Sequence, residues 1–260
     1  MWGAALRFAS LGSGSAGNAL VVEVGKTRVM LDCGFGIAET VSRLGRLSLT
    51  PQDINGIVVT HEHADHLGGV ASFARKYGIK VWLTHGTMSV WQTNVSRLPE
   101  FQLIDGHFPF AIREMAIQPY TVPHDAREPV QYVLGDGGKR LGVLTDVGCS
   151  TPHIEAILSG CDALVLECNH DYELLRNSSY PMGLKKRISG RNGHLENTVS
   201  ANLLAKLDQT RLQHVVAAHL SEQNNTPALA QSALAAVLNC ESHWVGVADQ
   251  ANGFGWREII

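Results

Sequence analysis

Apolar residues along this chain fall into two rhythms, and the two alternate from one end to the other. Leu20-Val21-Val22-Glu23-Val24 and Thr27-Arg28-Val29-Met30-Leu31-Asp32 are rich in β-branched residues, and the Gly25-Lys26 pair between them reads as the turn of a hairpin. Ile57-Val58-Val59-Thr60 has the character of a short buried strand and runs straight into His61. Leu67, Val70, Ala71 and Ala74 then recur at helical spacing as far as Tyr77, where Gly78 ends the pattern. Further strands are expected over residues 80–83, 131–134, 141–145, 163–167 and 214–218, and helices over 151–158, 197–207 and 227–238. The first and last of these helices open on Thr-Pro, a capping residue followed by the one helical position that accepts proline. Thr50-Pro51-Gln52-Asp53 carries the same signal and predicts another short helix.

Hairpins mixed with β-α-β units argue for an α/β protein in which two sheets are sandwiched between helices, rather than for one doubly wound sheet. No low-complexity linker or simple repeat interrupts the 260 residues, so a single domain over 1–260 is the economical reading.

Composition narrows the function without naming it. A formal charge of -3 excludes a chain that is basic all over, so any contact with nucleic acid must come from a local patch. Five cysteines, scattered and without a C-x-x-C pair, read as free thiols in a reducing cytoplasm rather than a disulfide framework. Residues 1–11 lack the basic and apolar regions of a signal peptide, and no apolar run approaches the roughly 20 residues a membrane helix needs. A cytoplasmic protein with no membrane partner is expected.

One feature recurs five times: a histidine or aspartate stands just past an expected strand. Asp32 follows Val29-Met30-Leu31, and His61, His63, Asp65 and His66 follow Ile57-Val58-Val59-Thr60. His124 comes after an expected strand over 116–122, Asp146 after Val143-Leu144-Thr145, and His219 after Val215-Val216-Ala217-Ala218. Strand ends at one rim of a sheet converge, so these residues can build one site although they span most of the chain. Residues two apart on extended backbone project to one side, which lets His61 and His63 share an ion; Asp65 and His66 leave the following turn toward a neighbouring position. Imidazole and carboxylate ligands without cysteine suit zinc, manganese or iron. A carboxylate such as Asp146 can bridge two such ions about 3.5–4 Å apart. The bland alternative, solvated loop histidines, leaves the five matching positions unexplained.

These residues also carry a resemblance. The chain resembles the metallo-β-lactamase superfamily from end to end, and within it is most similar to the YycJ/WalJ (VicX) type of predicted exonuclease, with RNase Z and phosphonate-pathway phosphodiesterases more distant. The likeness rests on Ser10-Leu11-Gly12-Ser13-Gly14-Ser15-Ala16-Gly17-Asn18, Leu31-Asp32-Cys33-Gly34, the Thr60 to His66 run, Val122-Pro123-His124-Asp125-Ala126, Thr145-Asp146-Val147-Gly148, Glu167-Cys168-Asn169-His170-Asp171 and His219-Leu220-Ser221. It implies an αββα sandwich and two divalent metal ions. It assigns His61, His63 and His124 to the first, Asp65, His66 and His219 to the second, and Asp146 as the bridge, with Asp32 holding a ligand histidine in the correct tautomer. Position 146 is Asp where common lactam-cleaving members have Cys, and His63 stands where the redox di-iron branch has Glu. The first departure fits phosphodiester hydrolases better, and the second argues against an oxidoreductase.

Residues 180–197 match the same type and hold the only dense basic segment. Lys185, Lys186, Arg187 and Arg191, beside glycines that expose backbone, could hold phosphates. A solvated helix face is the alternative. Glycines place Arg191 and His194 in a loop, and His170 or His194 could touch a phosphate or protonate a leaving group. His85, His107, His153, His214 and His243 read as surface or core residues. The glycine-rich 12–18 loop lacks the Lys-Ser/Thr of a P-loop, so it reads as a turn shaping the site, with Ser13 or Asn18 touching substrate as a weaker reading.

The leading expectation is therefore a metal-dependent phosphodiesterase acting on nucleic acid through a metal-bridging hydroxide. Asp65 or Asp146 would orient the hydroxide, His194 would assist the leaving oxygen, and Lys186, Arg187, Arg191 and His170 would contact substrate. The resemblance implies a DNA exonuclease working from the 5′ end. The alternatives are a small-molecule hydrolase of the same fold, acting on a cyclic or nucleotide phosphodiester, a lactone or a thioester, and a regulatory protein that holds metals without turnover. The basic segment discriminates between the first two: placed along the metal cleft, it favours phosphates.

Overall fold

The computed structural model describes residues 5–260. Residues 1–4 of the segment inspected above for a signal peptide lie outside the described residues. The strands are β1 (Leu6–Gly12), β2 (Ala19–Val24), β3 (Thr27–Leu31), β4 (Gly56–Val58), β5 (Val81–Thr84), β6 (Phe101–Ile104), β7 (Phe110–Ile112), β8 (Met115–Thr121), β9 (Val130–Gly135), β10 (Arg140–Leu144), β11 (Ala163–Glu167), β12 (His214–Ala218), β13 (Gly246–Val247) and β14 (Phe254–Ile259). The helices are α1 (Ile37–Arg46), α2 (Ala64–Leu67), α3 (Val70–Tyr77), α4 (His85–Asn94), α5 (Pro152–Leu158), α6 (Tyr172–Asn177), α7 (Met182–Ile188), α8 (Asn197–Lys206) and α9 (Pro227–Leu238).

The strands form two seven-stranded sheets, ordered β14-β1-β2-β3-β4-β5-β6 and β13-β12-β11-β10-β9-β8-β7. Read from β14, the first sheet has three antiparallel ladders and then three parallel ones. Read from β7, the second repeats that order. Two similar halves are thus joined face to face, a symmetry with no trace as a sequence repeat.

Burial on both faces of each sheet explains why so many strands read as continuous apolar runs. Between the sheets, Phe8, Val22 and Val29 meet Ile117, Tyr132 and Val165. On the outer face of the first sheet, Val21, Met30 and Ile57 lie with Leu44, Phe73 and Trp91 of the helices. Leu164, Leu166 and Val215 of the second sheet do the same with Ile154, Leu203 and Leu234. The layering is the expected αββα sandwich.

The β2–β3 hairpin turns at Gly25, with Val24 opposite Thr27 and Leu20 opposite Leu31. Thr151 and Thr226 cap their helices by accepting the backbone N–H of Ile154 and Leu229. Two expectations change. Residues 51–53 make only a single 3-10 turn, because the chain extends at Ile54 and the Asn55 N–H donates to the Arg28 carbonyl across to β3. The helix expected to run from Leu67 to Tyr77 is broken at Gly68-Gly69, where the Gly69 N–H donates to the Cys33 carbonyl at 2.8 Å. The five cysteines are unpaired, and among the described residues no helix is long and apolar enough to cross a membrane.

The loops after β3 and β4 touch backbone to backbone: a Cβ on Gly34 would stand 1.9 Å from the Asp65 carbonyl oxygen. Gly34→Ala is predicted to cost about 1–3 kcal/mol through overpacking, lowering the melting temperature by about 2–4 °C per kcal/mol. Thermal unfolding followed by circular dichroism checks this; an unchanged midpoint would mean that the two loops part without cost.

Candidate metal centre

All five strand-end positions do converge at one rim. Asp32 follows β3, the His61–His66 run spans the end of β4 and α2, His124 lies beyond β8, Asp146 beyond β10 and His219 beyond β12. Asp32, Asp146 and His219 take left-handed backbone, with φ of 61°, 53° and 55°. That conformation turns each chain sharply inward, and Asp and His tolerate it better than most residues.

His61, His63 and His124 form one group. The Nε2 of His61 is 3.0 Å and the Nε2 of His124 is 3.3 Å from the Nδ1 of His63. The other nitrogens of His61 and His124 are occupied. Thr60 Oγ1 donates to Asp32 Oδ2 at 2.9 Å and so accepts from His61 Nδ1, also at 2.9 Å. His124 Nδ1 donates to the Gly193 carbonyl at 3.2 Å. Each bond fixes a tautomer and leaves the inward nitrogen with a free lone pair.

Asp65, His66, Asp146 and His219 form the second group. His66 Nδ1 donates to Asp32 Oδ2 at 2.7 Å, which turns its Nε2 to within 3.1 Å of Asp146 Oδ2 and 3.3 Å of Asp65 Oδ2. His219 Nε2 stands 3.3 Å from Asp146 Oδ1 and 3.5 Å from Asp65 Oδ2. Asp146 Oδ1 also lies 4.0 Å from His124 Nε2, so this carboxylate touches both groups.

These residues fit metal ions. In each group the candidate ligand atoms all lie within 4.8 Å of one another. Asp146 Oδ2 and His219 Nε2 are buried with no hydrogen-bond partner, a costly state for polar atoms that nothing else binds. The donors are imidazoles and carboxylates, with no thiolate. Burial, helped by positive charge at His66, pushes the His61 pKa well below the usual imidazole range and so favours the neutral, ligating form. Burial lowers His124 in the same direction. At His66 burial opposes ionisation, but Asp146 and Asp32 prevail and raise it well above the usual range. Asp146 is held well below its usual value despite burial, by His219 and His66.

A third cluster adjoins the second. His194 Nδ1 donates to Glu167 Oε1 at 2.8 Å, and the fully buried Glu167 accepts the Val147 N–H through Oε2 at 3.0 Å. Burial alone would lower the His194 pKa, but the Glu167 carboxylate raises it to about 9. A cavity of about 400 Å³ opens over the groups, lined by Asp65, Asp146, His194 and His219 and also by Tyr180, Leu184 and Arg187.

The basic segment reaches this cavity only in part. Residues 182–188 form α7, which turns Leu184, Arg187 and Ile188 inward. Arg187 Nε donates to Asp125 Oδ2 at 2.7 Å. Lys186 and Arg191 are exposed and lie outside the cavity lining, because the helix and the loop after it turn them to solvent. Lys185 is spent on the carbonyls of Arg176 and Ser178. His170 is buried, not lining the cavity, with its Nδ1 3.4 Å from Asn169 Oδ1. Substrate contact by Lys186, Arg191 and His170 is therefore not supported by their placement, whereas His194 does sit in a loop on the cavity, as expected. His85, His107, His153 and His243 are exposed and His214 half-buried, all outside the groups.

Sequence reasoning assigned no role to Thr60 or Glu167, and it weighed Asn18 only as a substrate contact, not as a brace for a site carboxylate. Asn18 Nδ2 donates to Asp65 Oδ2 at 3.1 Å, and Ser13 Oγ accepts the His219 N–H at 3.0 Å, so the glycine-rich loop braces the site. The only available signal was adjacency to the histidine and aspartate motifs.

Known proteins share this arrangement to different depths. The family model for the β-lactamase superfamily domain matches residues 27–219. Exodeoxyribonuclease YycJ of Bacillus anthracis is 32% identical over 249 residues, covering 94% of this chain and 93% of its own. Exodeoxyribonuclease WalJ of Streptococcus pneumoniae serotype 2 (strain D39 / NCTC 7466) is 32% identical over 248 residues, covering 93% and 91%. Among solved structures, the metallo-β-lactamase fold protein YhfI of Bacillus subtilis superposes with a TM-score of 0.76 at 14% identity, over 98% of this chain and 99% of its own.

Thr60→Val keeps the side-chain volume but leaves His61 Nδ1 and one lone pair of Asp32 without a partner. The substitution is predicted to weaken divalent-metal binding by about 10- to 100-fold, read by competition with a chromogenic chelator. Wild-type affinity in that titration would remove Thr60 from any part in orienting the ligands.

Proposed function

The chain belongs to the β-lactamase superfamily as a metal-dependent hydrolase, and from that premise we propose that it is a dinuclear phosphodiesterase degrading DNA from its 5′ end. The observation that carries this reading is the position of Asp146, a buried carboxylate in contact with both ligand groups beneath an open cavity. A carboxylate there can serve two ions at once. The two curated relatives described above are named exodeoxyribonucleases, and their likeness covers nearly the whole chain.

In this reading His61, His63 and His124 hold one ion, Asp65, His66 and His219 the other, and Asp146 both. Zinc or manganese suits the donor set, and iron fits it too. Bound ions supply Lewis acidity and a water acidic enough to attack near neutral pH. The chain's own residues do the rest. Asp32 and Thr60 hold the His66 and His61 rings in the ligating tautomer. Asp65, on the cavity wall and braced by Asn18, orients the attacking water by accepting its hydrogen bond. Glu167 fixes His194 through Nδ1, leaving Nε2 to hand a proton to the departing oxygen. Arg187 takes the substrate phosphate by exchanging Asp125 for it, one charge-assisted partner for another. We take residues 1–260 to act as one domain in the cytoplasm.

Hydrolysis of a small phosphodiester is the second reading. It is favoured by the cavity's size and by the presence of one arginine, not a track of cations, along its wall.

Hydrolysis of bis-p-nitrophenyl phosphate and of 5′-labelled single- and double-stranded DNA with manganese or zinc tests both. Asp146→Ala is predicted to cut every activity by more than about 100-fold, beyond the loss typical of an outer partner. Arg187→Ala is predicted to raise KM on DNA about 10-fold, the lower range for losing a charge-assisted hydrogen bond, while Arg191→Ala leaves it unchanged. Turnover of the small ester with DNA untouched would move the assignment to a small phosphodiester. No turnover of either by protein with two bound metals would point to esters, lactones or thioesters.

A further inference from the structure

Part of the cavity lining has a composition that phosphate binding does not explain. Tyr180, Leu184, Arg187 and Ile188 all line the cavity, and the spacing from Leu184 to Arg187 and Ile188 is that of one helical face. Tyr180 stands one further turn back, just before α7 begins. Only one of the four is charged, and its guanidinium is bonded to Asp125 at the rim. The other three offer an aromatic ring and two aliphatic side chains, half-buried or exposed, in the same cavity that Asp65 and Asp146 line. A molecule in the cavity thus meets an apolar, aromatic surface as well as carboxylates and imidazoles. With about 400 Å³, the cavity has the volume of a small-ligand pocket. One nucleotide fits that space; a length of duplex does not.

We infer that this wall is a nucleobase subsite, in which Tyr180 stacks on the base of the nucleotide whose phosphodiester lies over the ligand groups, with Leu184 and Ile188 completing the apolar floor. The inference rests on the phosphodiesterase reading and gives it a substrate feature: the enzyme grips one terminal base as well as a phosphate. Every base has a π-face, so such a subsite accepts all four bases and rejects a sugar-phosphate that lacks one. Tyr180 is then a specificity-determining residue that distinguishes a nucleotide from other phosphodiesters.

Calorimetric titration of the metal-loaded protein with deoxyadenosine 5′-monophosphate and with deoxyribose 5-phosphate tests this without turnover. Wild type is predicted to bind the nucleotide about 5- to 150-fold more tightly, the range for stacking one base on an aromatic side chain. Tyr180→Ala is predicted to bring the two affinities together, and Tyr180→Phe to keep them apart. Equal affinities in wild type, or an unchanged ratio in Tyr180→Ala, would overturn the subsite. Hydrolysis assays run beside the titration judge the parent reading separately. Tighter nucleotide binding in wild type that is lost in Tyr180→Ala, with cyclic nucleotide hydrolysed and DNA intact, keeps the subsite and overturns the exonuclease. DNA degraded at one rate whether its 5′-terminal nucleotide carries a base or is abasic keeps the exonuclease and overturns the subsite.

Discussion

Taking an ionised carboxylate out of water costs several kcal/mol unless partners within the protein replace what water gave. This fold buries Asp32, Asp146 and Glu167 along a single rim, at 3%, 2% and 0% exposure. Each is answered by imidazole: Asp32 by His66, Asp146 by His66 and His219, Glu167 by His194. The histidines are therefore not free to choose rotamers; the buried charges choose for them. What the carboxylates leave over is a set of inward-facing nitrogens and oxygens, two of them without a hydrogen-bond partner. The ligating capacity of the site is the residue of an electrostatic problem solved almost, but not entirely, by the protein alone.

The twofold likeness of the sheets clarifies how such a rim arises. Asp32 follows β3 and Asp146 follows β10, and in each sheet that strand is the one where pairing changes from antiparallel to parallel. Both aspartates take left-handed backbone. Equivalent places in two halves have thus been given different work, one orienting a histidine and the other facing the cavity.

Much of this was legible in the chain. Apolar runs marked β2, β3, β11 and β12, and the Thr-Pro signals marked α5 and α9, because burial on both faces and capping act locally. The break at Gly68-Gly69 was not legible, since its cause is a carbonyl of Cys33 more than thirty residues away. The same holds for the basic segment: its composition is local, but which of Lys186, Arg187 and Arg191 faces inward depends on how α7 is docked. The bracing roles of Thr60 and Asn18 were not legible for a related reason. Hydroxyls and amides are common in any loop, and only their partners single them out.

Each ligand group draws on both sheets. His61, His63, Asp65 and His66 come from the first, while His124, Asp146 and His219 come from the second. The main-chain ties across this end include the Val130 N–H bonded to the Thr60 carbonyl at 3.0 Å. An ion seated in either group is therefore a rivet through the seam between the two halves of the molecule. Metal loading and mechanical closure would then be the same event, and a chain whose sheets have begun to part would lose the grouping of these side chains.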